Sequence, residues 1–240
     1  MRIIQCESSA EAVDVVASKV FEKMKSHPAS VIGLATGRTM VPVYATLSLM
    51  VQNSKANFHK CSFFMLDEYI GLPEDHPSSF KSYIKTHFIE PLKLSESQFA
   101  FPFDYQGNFE SYERRIKSAG GIELQLLGIG INGHIGFNEP GSEENSRTRI
   151  VRLASETIEA NRESFVDGKM PVNALSMGIG TIMESKNLVM LATGRSKADA
   201  VKYLLNHHKD LNCPATFLKD HPHFTLVLDP EAASKINLNI

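Results

Sequence analysis

The stretch IELQLLGIGINGHIGFNEP occupies residues 122–140 and joins an apolar run to a glycine-rich segment. Residues 122–129 are mostly apolar over the length of one strand, which predicts a β-strand that is buried in a sheet. Similar short runs alternate with segments of helical periodicity along the chain. The predicted strands are 2–5, 30–35, 61–66, 122–129, 187–192 and 224–228, and the predicted helices lie near 9–27, 40–51, 80–88, 109–116 and 196–205.

Strands that alternate with helices indicate parallel pairing and a layered α/β fold. No internal repeat, low-complexity tract or linker interrupts this pattern, so residues 1–240 are predicted to form a single domain. Residues 147–171 have few large apolar side chains and are the least core-like part of the chain. We expect this segment to form a lid or a surface excursion.

The glycines after the 122–129 run need a separate interpretation. The pattern Gly128-x-Gly130-x-x-Gly133 matches the dinucleotide-binding fingerprint, but that fingerprint requires a helix after its third glycine. Two more glycines and Pro140 follow here, and they disfavour a helix. We predict instead a loop that lets a ligand approach the backbone and that presents His134.

Composition and charge exclude several classes of protein. The 240 residues include 25 Lys and Arg against 27 Asp and Glu, and this net charge of −2 indicates no nucleic-acid partner. No apolar run reaches the roughly 18 residues of a membrane span, and residues 1–7 lack the apolar core of a signal peptide. The odd number of widely spaced cysteines, Cys6, Cys61 and Cys213, forms no disulfide framework. We therefore expect a cytoplasmic protein with reduced thiols.

Polar residues or glycines follow four of the predicted strands at the point where each strand ends. The four segments are Thr36–Thr39, Asp67–Tyr69, Gly130–His134 and Thr193–Lys197. Because ligands of open parallel sheets bind outside the carboxyl ends of the strands, we expect these segments to meet at one edge of the sheet. Loops are commonly polar, so it is the coincidence of four such ends that predicts a site.

The segment Thr36-Gly37-Arg38-Thr39 lies between a predicted strand and a predicted helix. Backbone N–H groups at a helix N-terminus, together with the two threonine hydroxyls, can bind an anion such as phosphate. An ordinary turn between a strand and a helix has the same sequence character, so both interpretations stay open for this segment alone. Lys197 at the start of a later helix favours an anion site, because a cation is disfavoured there unless an anion is near.

Two side chains at the strand ends are candidates for proton transfer. Asp67 and Glu68 follow a strand directly, and alternation along the chain would turn only one of them into the site. Asp67 is either a turn former or, if it is removed from water, a general base. His134 lies between Asn132 and Glu139 and suits proton transfer near neutral pH, although a hydrogen-bonded loop histidine is the simpler alternative. No histidine pair has metal-ligand spacing on a helix, so we expect no metal site.

Three long motifs lie at these strand ends. They are LATGxT at residues 34–39, LDEYIGLP at 66–73 with HPxSF at 76–80, and GxGxNGHIGFNEP at 128–140 with SRTR at 146–149. In order and spacing they resemble the glucosamine-6-phosphate deaminase family, from residue 1 to about residue 230. The resemblance implies a three-layer α/β/α sandwich with a mostly parallel, Rossmann-like sheet that does not bind a dinucleotide.

The resemblance also implies an activity, the conversion of glucosamine 6-phosphate and water to fructose 6-phosphate and ammonia without a cofactor. His134, held by Glu139 and Asn132, would move the proton from O1 to O5 that opens the pyranose ring. Asp67 would then transfer a proton from C2 to C1 through an enolamine. The phosphate would be bound by Thr36, Gly37, Arg38, Thr39, Lys197 and Arg162. A small-molecule sugar phosphate is the expected partner, and the choice between a monomer and a homo-oligomer stays open.

Several positions depart from the family pattern. Asn132 replaces an aspartate of some members, so it can orient the histidine but adds no negative charge. Arg38 replaces a small residue, where it either pairs with the phosphate or crowds the loop. Arg162 lies one residue away from the register of a lid arginine, and Glu163 occupies the matching position. Val151 replaces a lysine of the allosteric N-acetylglucosamine 6-phosphate site, which argues against that regulation.

Three other functions stay open. A 6-phosphogluconolactonase has the same fold and a similar glycine-rich histidine loop, although Asp67–Tyr69 and Phe137–Pro140 favour a deaminase. A non-catalytic sugar-phosphate-sensing domain often lacks the acid–base pair that is present here. A deaminase of galactosamine 6-phosphate is the hardest to separate, because the sequence does not show which face of C4 the pocket recognises.

Overall fold

The computed structural model describes residues 1–73, 75–102, 109–162, 165 and 170–236. Its strands are β1 (Arg2–Gln5), β2 (Val31–Leu34), β3 (Ser62–Met65), β4 (Asp67–Tyr69), β5 (Phe99–Ala100), β6 (Leu124–Leu127), β7 (Arg149–Arg152), β8 (Asn173–Ser176), β9 (Leu188–Ala192) and β10 (Phe224–Leu228). Its α-helices are α1 (Ser9–Ser26), α2 (Met40–Gln52), α3 (Phe80–Ile84), α4 (Glu90–Leu92), α5 (Phe109–Ser118), α6 (Ser155–Asn161), α7 (Ile179–Met183) and α8 (Ala198–Asn206). Glu163 and the other residues of 163–164 and 166–169, which belong to the expected lid, lie outside the described residues.

A parallel sheet forms the centre of the fold. In the described part of the chain its seven strands have the order β1-β10-β9-β6-β2-β3-β5, and every neighbouring pair is parallel. All six strands predicted from the sequence lie in this sheet, within two residues of their expected bounds. Only the two-residue β5 was not expected. The sheet is flanked by helices, so the predicted three-layer α/β/α sandwich is confirmed.

Helix α1 shows how the sequence determines this arrangement. Ser8 begins the helix by accepting a hydrogen bond from the Glu11 N–H at 3.1 Å, which is a common N-cap contact. Apolar residues then recur at helical spacing and are buried against α2, β9 and β10; they are Val13, Val16, Val20 and Met24. None of the helices that the structure describes is long and apolar enough to cross a membrane.

A second, smaller sheet lies beside the carboxyl ends of the first. Within the described residues it contains three antiparallel strands in the order β4-β8-β7. Leu66 joins the two sheets, because its N–H donates to Leu34 of β2 and its carbonyl oxygen accepts from Met177 after β8. The sequence did not predict this sheet, and β7 falls inside the segment that was expected to form a lid or an excursion.

Aromatic side chains pack the second sheet and the following segment together. Tyr69 of β4 lies with its ring centroid 5.2 Å from that of Phe137 and 5.2 Å from that of Phe165. Leu153 and Phe165 are buried in this aromatic cluster, which is separate from the main core. The part of residues 147–171 that is described therefore packs through its few large apolar residues, and Ile150 remains exposed.

Glu113 connects α5 to the start of β7 and to α7. Its carboxylate accepts hydrogen bonds from the Thr148 N–H at 2.9 Å and from the Thr181 hydroxyl at 2.6 Å, and it forms an ion pair with Arg147. Burial alone would raise the pKa of Glu113, but the hydrogen bonds from both threonines and the charge of Arg147 outweigh it and lower the pKa.

Glu113→Gln is expected to lower the free energy of unfolding at neutral pH by about 1–3 kcal/mol, since the amide loses the charge and turns one acceptor into a donor. Because the folded-state pKa of Glu113 is lowered, its stabilisation is present above the ordinary carboxyl pKa and is lost as the pH falls. Thermal unfolding should show a Tm difference that shrinks on acidification. Glu110→Gln on the exposed face of α5 is the matched control, and an equal loss in both variants would contradict this role.

Candidate active site

A cavity of about 620 Å³ opens at the carboxyl ends of the central strands. The four polar strand ends predicted from the sequence meet here, since the loops after β2, β3, β6 and β9 all contribute to its lining. The lining residues from these loops include Thr36, Gly37, Arg38, Thr39, Asp67, Gly130, His134, Thr193, Ser196 and Lys197. Parallel pairing therefore brings residues that are more than 150 positions apart in the chain to one site.

One corner of the cavity combines two cations with an uncapped helix. Arg38 and Lys197 line it, and among the described residues neither forms an ion pair with a carboxylate. Burial, and then the nearby charge of Arg38, lower the pKa of Lys197. Thr39, the N-cap of α2, makes no side-chain capping hydrogen bond. The Met40 N–H donates to the Gly37 carbonyl oxygen and Pro42 has no N–H, so the Val41 N–H is the first-turn donor that is left for a ligand. This corner suits an anion.

Asp229 positions the loop that carries Lys197. Its carboxylate accepts the Gly194 N–H at 3.0 Å, the Ala232 N–H at 2.7 Å and the Ser9 hydroxyl at 2.5 Å. The loop needs this anchor at a residue of unusual conformation, because Gly194 has a φ of +85°, which favours glycine. Asp229 was missed in the sequence, although an acidic residue directly after the last strand is the same signal that identified Asp67.

Asp67 and Glu68 face opposite ways, as alternation predicts. Glu68 turns away from the cavity, and its carboxylate accepts the N–H groups of Tyr69, Phe80 and Lys81 at 2.8–2.9 Å. Asp67 lines the cavity with 4% of its surface exposed, and its Oδ1 has no hydrogen-bond partner among the described residues. Burial, and then the neighbouring charge of Glu68, raise the pKa of Asp67 well above its ordinary value.

The amide of Asn132 and the carboxylate of Glu139 both face the Nδ1 side of the His134 ring. Asn132 Nδ2 donates to Glu139 Oε2 at 3.0 Å, so Asn132 Oδ1 is the amide atom that faces His134 Nδ1, at 2.7 Å. A carboxylate only accepts, which fixes the amide orientation, and an amide oxygen only accepts, which places the imidazole proton on Nδ1. In the neutral ring the other nitrogen, Nε2, is then unprotonated and can accept a proton.

Glu139 keeps its negative charge in this arrangement. Burial alone would raise the pKa of Glu139, but hydrogen bonds with His134, Thr157 and Asn132 outweigh it and lower the pKa. Glu139 Oε2 lies 3.3 Å from His134 Nδ1, so a charged imidazole would be stabilised directly. The ring also needs space on its other side, because a Cβ at Gly130 would lie 2.2 Å from its Cε1 atom.

The chain matches the family described as glucosamine-6-phosphate isomerases/6-phosphogluconolactonase over residues 5–227. It belongs to this family. A glucosamine-6-phosphate deaminase of Streptomyces avermitilis is 40% identical over 245 residues, which cover 99% of this chain and 94% of the relative. A glucosamine-6-phosphate deaminase of Clostridium botulinum (strain Loch Maree) is 40% identical over 247 residues, which cover 99% of this chain and 100% of the relative.

Two solved structures have the same fold as this chain. A monomeric glucosamine-6-phosphate deaminase, described as the missing link of the NagB superfamily, superposes with a TM-score of 0.94 at 37% identity and covers 98% of this chain and 100% of its own. A 6-phosphogluconolactonase from Trypanosoma cruzi superposes with a TM-score of 0.78 at 20% identity, covering 100% of this chain and 97% of its own. The second likeness supports the fold alone.

The site residues predicted for this family occupy three different places. Asp67, His134, Lys197 and the segment Thr36–Thr39 line the cavity. Asn132 and Glu139 lie behind His134 and contact it without being part of the lining. Arg162 is not in the lining; its side chain is 60% exposed and pairs with Glu159 at 3.6 Å. The roles of these residues stay predictions.

No group of three or more metal-ligating side chains lies close enough to hold an ion among the residues the structure describes. The three cysteines are all free and buried.

Thr157 of α6 is a further lining residue that the sequence did not single out. Its hydroxyl lies 3.4 Å from His134 Nδ1, a contact between distant segments that no local pattern signals.

Asp67→Asn is expected to raise the Tm at neutral pH by about 2–4 °C, because it removes a buried carboxylate whose Oδ1 has no hydrogen-bond partner among the described residues. Since the folded-state pKa of Asp67 is raised, its cost to stability appears above the ordinary carboxyl pKa and grows as the pH rises through the folded value. Thermal unfolding across pH should therefore show a gap between variant and wild type that widens with pH. Glu68→Gln, which weakens three backbone contacts, should lower the Tm; a gain in both variants would contradict this account.

Proposed function

We propose that the protein is a glucosamine-6-phosphate deaminase, which converts glucosamine 6-phosphate and water to fructose 6-phosphate and ammonia. The observation that carries this proposal is the pairing, in one cavity, of a buried carboxylate on Asp67 with a histidine whose Nε2 is free to accept a proton. Relatives named glucosamine-6-phosphate deaminase, about 40% identical over nearly the whole chain, support the same activity.

The phosphate group is assigned to the corner formed by Arg38, Lys197 and the N-terminus of α2. A dianion there would offset the repulsion between the two cations and would accept a hydrogen bond from the Val41 N–H in the first turn of the helix. The threonines of residues 36–39 and Ser196 add hydroxyl donors to the same corner. With its phosphate anchored, the sugar extends toward the loop that carries His134.

Ring opening is assigned to His134. Its Nε2 takes the proton from the O1 hydroxyl and returns it to O5, so the C1–O5 bond breaks and C1 becomes an aldehyde. The imidazole is positively charged between these two transfers. Glu139, which is ionised and 3.3 Å from Nδ1, stabilises that charge through the N–H that Asn132 already orients.

Proton transfer between carbons is assigned to Asp67. Its carboxylate takes the proton from C2 while O1 takes up a proton from water, which produces an enolamine; the Asp67 carboxyl group then delivers its proton to C1, which leaves an iminium ion at C2. Water hydrolyses the iminium ion, which forms the C2 ketone of fructose 6-phosphate and releases ammonia and one proton, so that the proton taken up by O1 is balanced. A raised pKa suits this carboxyl group, because a stronger base removes a weakly acidic C–H proton more readily.

The test is the release of ammonia from the purified protein with glucosamine 6-phosphate, measured together with fructose 6-phosphate. Galactosamine 6-phosphate and 6-phosphogluconolactone are supplied in parallel, so that a deaminase of another epimer and a lactonase are recognised as such. We expect equal amounts of both products from the glucosamine substrate. Binding of that substrate without turnover would contradict the proposal and would favour a sugar-phosphate-sensing domain.

Arg38→Ala is expected to raise KM for glucosamine 6-phosphate by at least about tenfold with a smaller change in kcat, since a charge-assisted contact to phosphate is lost. Arg162→Ala is the matched control because it removes an arginine that does not line the cavity. Initial rates over a range of substrate concentrations decide between them. A large KM effect in Arg162→Ala with none in Arg38→Ala would reassign the phosphate contact to α6.

The location in the cell, the domain organisation and the small-molecule partner of the protein follow from the proposed activity. We place the protein in the cytoplasm, which agrees with three buried, free thiols. Residues 1–240 are proposed to act as one domain in which residues 147–171 form a lid over the sugar. The small-molecule partner is the sugar phosphate itself.

A further inference from the structure

Two tyrosine hydroxyls hold carbonyl oxygens of the loop that follows β2. Tyr44 of α2 donates to the Ala35 carbonyl oxygen at 2.5 Å, and Tyr83 of α3 donates to the Gly37 carbonyl oxygen at 2.8 Å. Residues 35–39 line the cavity, but neither tyrosine is part of its lining. Both carbonyl oxygens are therefore turned toward groups that lie outside the lining of the cavity.

The direction of the Gly37 carbonyl decides the direction of the next N–H group. In a planar trans peptide the carbonyl oxygen and the N–H lie on opposite sides, so the Arg38 N–H is directed away from Tyr83. This N–H has no hydrogen-bond partner among the described residues. An unpaired N–H just before a helix N-terminus is a donor for an anion, and a carbonyl oxygen in its place would repel one.

Gly37 makes an external restraint on this peptide necessary. Its φ of +104° favours glycine, and a residue without a Cβ accommodates several orientations of the peptide that follows it. No described atom lies within 4 Å of the place where a Gly37 Cβ would be, so packing at this point does not select one orientation. The Met40 N–H holds the Gly37 oxygen at 3.0 Å, and the Tyr83 hydroxyl uses the second acceptor position of the same oxygen.

The ring of Tyr83 is held in place independently of its hydroxyl. Its centroid lies 4.6 Å from that of His87 and 6.4 Å from that of Tyr44, with the two tyrosine rings edge to face. Burial raises the pKa of the Tyr83 phenol, so the hydroxyl remains a donor at neutral pH. A phenylalanine at this position would keep the ring contacts and lose only the hydrogen bond to the loop.

We propose that Tyr83 is a positioning residue for the phosphate group, which fixes the Gly37–Arg38 peptide with its N–H available to the anion that Arg38 and Lys197 attract. This inference rests on the proposed deaminase function and deepens it by naming the group that orders the phosphate loop. Tyr83 touches no atom of the substrate in this role and acts through the Gly37 carbonyl oxygen.

The first test is Tyr83→Phe. We expect KM for glucosamine 6-phosphate to rise about fivefold, the effect of losing one hydrogen bond, with kcat nearly unchanged. The dissociation constant of inorganic phosphate, measured by calorimetry, should rise by a similar factor. Tyr203→Phe is the matched control and should behave as wild type, because its hydroxyl donates to Asp210 and it is not part of the cavity lining.

A Tyr83→Phe protein with the wild-type KM and phosphate affinity, or one that loses kcat at unchanged KM, would overturn the proposal. A second measurement needs no variant: an NMR titration of the ¹⁵N-labelled wild type with inorganic phosphate. We expect the Arg38 amide proton signal to move downfield, and a signal that stays in place at saturating phosphate would overturn the proposal. A wild type that binds phosphate but releases no ammonia contradicts the proposed function, while the phosphate affinities still decide the role of Tyr83.

Discussion

The hydrogen-bond chain from Glu139 through Asn132 to His134 determines the chemistry of this cavity. A carboxylate accepts and cannot donate, so it turns the NH₂ end of the amide toward itself and the oxygen toward the histidine. The proton of the neutral imidazole is thereby held on Nδ1, and Nε2 becomes a base. Asn132 transmits orientation without charge, and the single negative charge behind the ring belongs to Glu139.

A second constraint is the position of Asp67 at the junction of the two sheets. The chain leaves the central sheet at Leu66, which bonds to both sheets, and Asp67 begins the smaller one. That geometry removes the carboxyl group from water and leaves one of its oxygens without a partner among the described residues. Burying such a group costs stability, and the charge of the adjacent Glu68, which three backbone N–H groups hold in place, adds to that cost by raising the pKa of Asp67 further.

The parts of the fold that follow from the sequence are those with a strong local signal. Each strand of the central sheet except β1 and β5 is a short apolar run, and parallel pairing of such runs brings their polar ends to one edge. Asp67, His134 and Lys197 could therefore be assigned to one cavity before the fold was known. The opposite orientations of Asp67 and Glu68 follow from the alternation of a strand.

Other features depend on contacts that the local sequence does not encode. β7 reads Arg-Ile-Val-Arg and β4 has three residues, so neither has the apolar run that predicts a buried strand. Their pairing with β8 comes from tertiary packing around Tyr69. Thr157 and Asp229 contact residues far away in the chain, and no spacing rule connects them. The outward direction of Arg162 is set by its place on α6 and its pairing with Glu159.

The central claim concerns the proton on one histidine, and NMR tests it directly. Long-range ¹H–¹⁵N correlation spectra of the ¹⁵N-labelled protein report which imidazole nitrogen of His134 is protonated, with His134→Gln used to assign its signals. The hydrogen-bond chain predicts a neutral ring that carries its proton on Nδ1 and leaves Nε2 bare, and Asn132→Ala should loosen this preference. A ring that carries its proton on Nε2 in the wild type would contradict the account, because His134 would then offer no acceptor for the O1 proton.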